Sequence, residues 1–260
     1  ARALAAYALG VSDLVLAPQE LPDGFQSTFA DLLDRRRRRF PLQHILGSTG
    51  FRYLSLRQES GVFVARPETE VVAQHAIDAA RLIAVSGRRP LVVDLCCGSG
   101  PIACSVDVEV EGSSVVAIDA SPAAVALTRH NHAIAGSASM RIELGDVTDP
   151  SLLMDLEGVV DVLVSNPPYI PPEAVPNEPE VRDHDPDLAL YGGGVDGLEI
   201  PRAVVIAARR LLRSGGVFVM EHAEVQAEAV REMTAAAGFI EVTSFEDLTH
   251  RPRGVRAVAP

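Results

Sequence analysis

The residues best suited to chemistry in this 260-residue chain are Asn166-Pro167-Pro168-Tyr169, which follow the apolar run Val160-Asp161-Val162-Leu163-Val164-Ser165. Two consecutive prolines fix φ and hold the residue before each of them extended, so the tetrapeptide is a rigid turn. Such a turn presents the Asn166 side chain and nearby backbone carbonyls as fixed acceptors. A planar NH2 group has two donors, and two convergent acceptors would hold it. The alternative is a Pro-Pro turn with a purely structural role. Upstream, Val92-Val93-Asp94-Leu95 runs into Cys96-Cys97-Gly98-Ser99-Gly100, an apolar stretch ending in an acid and a small-residue turn. Glycines there let a ligand approach the backbone closely. With Gly98 and Gly100 as the first pair, Ala103 takes the last glycine position of a dinucleotide fingerprint, a weak signal by itself. Ala117-Ile118-Asp119 ends the next apolar run. A carboxylate at that point can take two hydrogen bonds from ribose hydroxyls, or it can cap a helix beginning at Ser121-Pro122.

These segments need a scaffold, and the patterning supplies one. From residue 90 onward, strands expected at Leu91–Leu95, Val115–Ile118, Met140–Leu144, Val160–Ser165, Val217–Met220, 239–245 and 254–258 alternate with helices expected at Pro101–Val106, Pro122–Ala135, 198–213 and 223–237. Strands alternating with helices predict an α/β fold whose mostly parallel sheet is covered on both faces. Ahead of it, Phe51–Leu56 and Gly61–Val64 predict a hairpin over residues 48–64, and Arg66-Pro67-Glu68-Thr69-Glu70 opens a helix to about Ser86. Residues 1–47 are helical in pattern, broken at Pro22–Gly24, with the first helix expected to be the tail of a longer one. The expected division is 1–47 helical, 48–88 hairpin and linker helix, and 89–260 the main domain.

Composition narrows the function classes. The apolar fraction is 47% and the charged fraction 22%, which is globular and excludes disorder and collagen-like repeats. No apolar run reaches the roughly 18 residues of a membrane span. Net charge is −12, and it is uneven: residues 1–90 hold 12 Arg and 9 acids, whereas residues 91–260 hold 11 Arg and 26 acids. The acidic half repels phosphate backbones and argues against stable nucleic-acid binding. Every basic side chain is Arg, including the run Arg35–Arg39, whose members point all around a helix and suit either a solvated helix end or an acidic partner. Cys96, Cys97 and Cys104 fit neither a disulfide framework nor a zinc set; they read as small packing residues in a reducing cytoplasm. The seven histidines show no ligand spacing, and no metal is expected.

The Asn-Pro-Pro-Tyr turn after such a strand resembles the amino-methyltransferases, which methylate planar nitrogens with S-adenosylmethionine. The whole chain is similar to one branch, the release factor glutamine N5-methyltransferases of the PrmC/HemK type. The likeness runs through Pro41–Gly47, Val62–Glu70, the two ligand-binding segments, Val164–Ile170, Asp185-Pro186 to Leu190, Gly193-Gly194, Asp196-Gly197-Leu198 and Glu221. Arg66-Pro67-Glu68-Thr69-Glu70 separates this branch from nucleic-acid enzymes sharing the catalytic tetrapeptide. Departures are Cys96-Cys97-Gly98 for the usual Gly-Thr-Gly, Ala65 for a proline, and Glu221-His222-Ala223 for Glu-Ile-Gly.

The resemblance implies a seven-stranded Rossmann-like methyltransferase sheet with a small N-terminal helical domain that recognises the partner, a class 1 peptide chain release factor. It implies methyl transfer to the side-chain amide of the Gln in that factor's Gly-Gly-Gln loop. Asn166 Oδ1 and the Pro167 carbonyl would accept the two amide N–H bonds, with Pro168 also binding the substrate. Tyr169 would pack against the glutamine stem, or serve only the core. The cofactor, S-adenosylmethionine, would be held by Asp94, Cys96, Cys97, Gly98, Ser99 and Gly100 at its methionine end, Asp119 at the ribose, Asp146 and Val147 at the adenine, and Asn166. Glu68 and Glu70 would either close the site or occupy a helix first turn. Two rival readings stay open at this stage: a nucleic-acid amino-methyltransferase acting on adenine N6 or guanine N2, and a non-catalytic cofactor-binding module.

Overall fold

A computed structural model describes residues 1–135 and 140–260. At the N-terminus, α1 (Arg2–Leu9), α2 (Phe25–Arg37) and α3 (Leu42–Leu46) surround a small core of Leu4, Leu32 and Ile45, against which Phe29, Leu33 and Phe40 pack. Gly10 ends α1 at φ 69°, a conformation that favours glycine. In the arginine run closing α2, Arg35, Arg37 and Arg38 are exposed, while two other members meet an acid of the same chain. Arg36 and Arg39 both pair with Glu180, at 2.6 and 2.7 Å, in the segment that follows the Asn-Pro-Pro-Tyr turn.

The hairpin is real but its register differs from expectation. Its strands are β1 (Ser48–Phe51) and β2 (Leu54–Arg57), and Gly61–Val64 is irregular. Phe51–Leu56, expected as one strand, is broken by a tight turn with Arg52 at φ 51°. Long-range contacts hold that turn: Arg52 Nε and Nη2 donate to Glu109 at 2.6 and 2.8 Å, and Glu70 Oε1 accepts from the Arg52 N–H. Local alternation carries no trace of these partners.

Helix α4 (Thr69–Val85) begins with Glu68 at its N-cap. Its buried stripe of Val72, Ala73, Ala76, Ile77 and Ala80 is mostly small side chains, so it lies close on the sheet. The sheet is built from β3 (Leu91–Leu95), β4 (Ser114–Asp119), β5 (Arg141–Leu144), β6 (Val160–Ser165), β7 (Leu212–Glu221), β8 (Ile240–Glu246) and β9 (Pro252–Val258), in the spatial order β5-β4-β3-β6-β7-β9-β8. Only β9 runs antiparallel to its neighbours. Alternation along the strands sends Val92, Ala117, Val162 and Val164 to one face, under α4 and α5 (Pro101–Glu109). Val93, Ile118, Leu163 and Phe218 go to the other face with α9 (Glu199–Leu211) and α10 (Ala227–Ala236). Each Val, Leu, Ile or Phe among them, fully buried, contributes about 1.5–3 kcal/mol.

The chain starts mid-sheet at β3, moves outward through α5, β4, α6 (Pro122–Ala135) and β5, then returns past β3 to β6. The strand order therefore reverses between β3 and β6, the place where open α/β sheets bind ligands. Ser165 Oγ donates to the Leu95 carbonyl at 2.7 Å and ties these two strand ends together. After the Asn-Pro-Pro-Tyr turn, α7 (Pro179–Arg182) and α8 (Asp187–Leu190) fold back over this edge, fixed by Ile170 and Tyr191.

Candidate active site

The turn after β3 is shaped by unusual backbone angles. Cys96, Gly98 and Gly100 have φ of 60°, 58° and 82°. Cys96 holds a left-handed conformation normally given to glycine, and its side chain lines the cavity described below. A Cβ on Gly98 would meet no atom within 4 Å, so this glycine opens onto space, whereas one on Gly100 would lie 2.8 Å from Thr128 Cγ2. Asp119 stitches the two strand ends: its Oδ2 accepts from Gly98 N–H and its Oδ1 from Ser121 N–H, both at 2.8 Å. Burial raises its pKa, and the backbone donors at Ser121 and Gly98 oppose that rise. The ribose-contact and helix-cap readings of Asp119 are thus compatible, because each carboxylate oxygen keeps a second lone pair.

A cavity of about 450 Å³ opens at these strand ends, a size that suits a cofactor. Of the expected cofactor residues, Cys96, Gly98, Asp119, Asp146, Val147 and Asn166 line it. Asp94, Cys97, Ser99 and Gly100 do not; they stand behind the turn and hold its shape. Asp94 is buried, its Oδ2 accepts from Ala103 N–H at 3.0 Å, and burial pushes its pKa up to about 8. Cys97 packs its sulfur 3.7 Å from Thr128 Oγ1, and Asn131 Nδ2 donates to the Ser99 carbonyl at 2.9 Å. The physical reason is the left-handed backbone at Cys96, Gly98 and Gly100, which ends the strand alternation after Leu95, keeps Cys96 at the ligand edge and turns its neighbours away from it. Asp146 lies beyond the end of β5, exposed, with Oδ1 taken by the Thr148 N–H and hydroxyl.

The opposite wall was not anticipated. Phe63 and Arg66 from the segment before α4, Leu188 and Leu190 from α8, and Tyr191 just after it, complete the cavity. Arg66 stacks over Phe63 and pairs with buried Asp185, which clamps this wall shut. Its sequence signals lay in the motifs Val62–Glu70 and Asp185-Pro186 to Leu190. Polar Asp119 and Asp146, beside apolar Leu95, Ile118 and Val147, match a nucleoside with its ribose and planar base, and the open Gly98 leaves room for the remainder. The residues present therefore fit S-adenosylmethionine.

Asn166, Pro167, Pro168 and Tyr169 line the same cavity. Asn166 Nδ2 donates to Thr69 Oγ1 at 3.1 Å, and Thr69 Oγ1 donates to Glu221 Oε2 at 2.8 Å. The Tyr169 hydroxyl donates to Glu221 Oε1 at 3.3 Å, and Gln226 Nε2 donates to the Tyr169 carbonyl at 2.8 Å. Tyr169 therefore belongs both to the cavity wall and to a buried polar network. Burial raises the Tyr169 pKa, and it raises that of Glu221 to about 7. Sequence reasoning passed over Thr69, Glu221 and Gln226 as chemistry. Glu68 faces a neighbouring cleft with Glu221 and Arg253, while Glu70 sits in the first turn of α4.

Comparison with known proteins agrees with this geometry. The methyltransferase small domain family matches residues 57–178, and the PrmC N-terminal domain family matches residues 1–47. A release factor glutamine methyltransferase of Streptomyces coelicolor is 45% identical over 256 residues, covering 97% of this chain and 88% of the relative. One from Bifidobacterium longum is 43% identical over 243 residues, covering 91% and 82%. The fold is shared with a solved Thermus thermophilus 16S rRNA N2 G1207 methyltransferase in complex with AdoMet and guanosine, with TM-score 0.56 and 19% identity over 82% of this chain and 50% of that one. With Asn166 to Tyr169 set at the edge of a nucleoside-sized cavity and this likeness along nearly its whole length, the chain belongs to the release factor glutamine methyltransferases, an S-adenosylmethionine-dependent family.

Proposed function

We propose that the chain methylates the side-chain amide N5 of the Gln in the Gly-Gly-Gln loop of class 1 peptide chain release factors. One observation carries the proposal: Thr69 accepts from the NH2 end of the Asn166 amide, which leaves Oδ1 for a substrate NH2 group at the cavity. The Pro167 carbonyl is the second acceptor. When bound, S-adenosylmethionine supplies an electrophilic sulfonium methyl group. Asp119 would hold the ribose, Asp146 and Val147 the adenine, and the backbone at Cys96 and Gly98 the methionine end.

An amide nitrogen is a weak nucleophile because its lone pair is delocalised, and no side chain here is a base strong enough to deprotonate it. Positioning by Asn166 and Pro167 compensates, since aligned reactants can gain roughly 7–11 kcal/mol. The two acceptors also favour a more pyramidal nitrogen. The product amide then loses one N–H proton. Tyr169, anchored by Glu221, flanks the glutamine stem.

Residues 1–47 form the partner-recognition domain, residues 48–88 the hairpin and linker, and residues 89–260 the catalytic domain. The first has its own small core and meets the catalytic loop through Arg36 and Arg39 on Glu180. The partner is protein and not stable nucleic acid, in keeping with the acidity of residues 91–260. The free thiols Cys96, Cys97 and Cys104 suit a reducing cytoplasm; among the described residues no helix is long and apolar enough to cross a membrane. The test is transfer of labelled methyl from S-adenosylmethionine to an intact class 1 release factor, run beside the same factor with its loop Gln replaced by Ala and beside ribosomal RNA. Label on the unmodified factor alone supports the proposal; label on RNA, or none, overturns it.

A further inference from the structure

The geometry points to Glu221 as a positioning residue that, acting through Thr69, decides which end of the Asn166 amide faces the substrate. This rests on the reading of Asn166 as an acceptor for the substrate amide. A hydroxyl has one proton to donate, and an ionised carboxylate can only accept. With Glu221 ionised, the Thr69 proton must go to Glu221 Oε2, 2.8 Å away. Thr69 then has only lone pairs to offer Asn166, so the amide must turn its NH2 end to Thr69 and its oxygen to the cavity. Protonating Glu221 allows the chain of donors to reverse. Glu221 O–H can donate to Thr69, and Thr69 to Asn166 Oδ1, which leaves an NH2 facing the substrate NH2: two donors opposed.

The same carboxylate holds the far end of the turn, because Tyr169 donates to its other oxygen at 3.3 Å. One buried side chain thereby fixes the first and fourth residues of the tetrapeptide. Glu221 is 2% exposed, so water does not compete for these bonds. The groups facing it come from every element packed there: Thr69 and Glu68 at the start of α4, Tyr169 from the turn after β6, and Arg253 from β9. Arg253 favours the ionised form, while burial and Glu68 oppose it, which brings Glu221 to about 7. Arg253 is itself held by Asp247, with Nε and Nη2 both donating to Oδ2 at 3.1 and 3.0 Å. His222, next in the chain, turns its Nδ1 to the Ala223 carbonyl.

The test uses the full-length protein with S-adenosylmethionine bound and two readouts. The first follows the side-chain NH2 resonance of Asn166 by NMR from pH 5.5 to 8.5, assigned with Asn166→Ala. In the wild type it should shift with a midpoint near that of the Glu221 carboxyl carbon. The shift should vanish in Glu221→Gln and in Thr69→Val. An Asn166 resonance that ignores the Glu221 titration overturns the inference, whatever the substrate.

The second readout is kcat on the release factor. The wild-type rate should climb through neutral pH to a plateau. Thr69→Val should lower kcat about 10- to 100-fold, the effect of losing one oriented hydrogen bond, with cofactor Kd close to wild type and Tm lowered, because a buried carboxylate oxygen loses its donor. Thr69→Ser should recover most of the loss, because it keeps the hydroxyl. Wild-type kcat in Thr69→Val overturns the inference. Coupled NMR titrations with no methylation of the factor would instead fault the substrate reading and leave the relay standing.

Discussion

Replacing Glu221 by Gln should make the protein more stable at pH 8 while making it a poorer enzyme. The buried carboxyl moves from an ordinary 4.5 to about 7, chiefly through burial. At about 1.4 kcal/mol per tenfold change in proton affinity, that is about 3 kcal/mol. The sign follows from proton uptake. A carboxyl held more tightly protonated in the folded state stabilises the fold below about 4.5, and this contribution is lost as pH rises through about 7. Gln fits the same space: its oxygen can accept from the Tyr169 hydroxyl, and its NH2 can donate to Thr69, which frees the Thr69 proton to turn the Asn166 amide round. Being uncharged, it removes the pH dependence. The difference in stability, variant minus wild type, should therefore rise by about 3 kcal/mol between pH 4.5 and pH 8. For a chain of this size that amounts to roughly 6–12 °C in Tm. The assay is thermal unfolding of both proteins across that range without cofactor; taking the difference cancels the other acids. A difference independent of pH, or one that falls as pH rises, would refute the reasoning.

Asn166→Ala should lower methyl transfer roughly 10²- to 10³-fold, the range for one preorganised hydrogen-bonding group, with cofactor Kd within a few-fold by calorimetry. Asp119→Asn should weaken cofactor binding and cost about 1.5–3 kcal/mol of stability, because its NH2 must face a backbone N–H at Gly98 or Ser121 that the carboxylate now satisfies; equal denaturant midpoints would contradict this. Gly197→Ala should cut kcat at least about tenfold, since a Cβ there would lie 2.3 Å from the Tyr169 carbonyl oxygen at φ +73°; wild-type kcat would show that the turn tolerates displacement.

The parts of the fold legible in the sequence are those written in local pattern. Val160–Ser165 is dominated by Val and Leu, with only Asp161 and Ser165 polar; it is buried along its whole length, and its strand limits match expectation. The Pro-Pro constraint acts within four residues, so the Asn166–Tyr169 turn was legible too. Arg52 was not, because its left-handed turn depends on Glu70 and Glu109, neither adjacent in sequence. The segment from Ile170 to Leu198 was hidden for the same reason: Asp185 meets Arg66, and Glu180 meets Arg36 and Arg39. At the site, a run of small residues from Cys96 to Gly100 shows where a ligand approaches. It does not show that Cys97, Ser99 and Gly100 face away, since the left-handed angles that turn them are a property of the folded loop. Thr69 and Glu221 escaped notice as chemistry because their roles exist only once α4 and β7 bring them together.

The central claim is that the Asn166 turn methylates a glutamine side-chain amide of a release factor. It is tested most directly by incubating a recombinant class 1 release factor with this protein and S-adenosylmethionine, then mapping the product by tandem mass spectrometry. One added methyl is expected, on the side-chain nitrogen of the Gly-Gly-Gln glutamine, absent when Asn166→Ala replaces the wild type. A methyl on any other residue, or an unmodified glutamine beside fully bound cofactor, would contradict it.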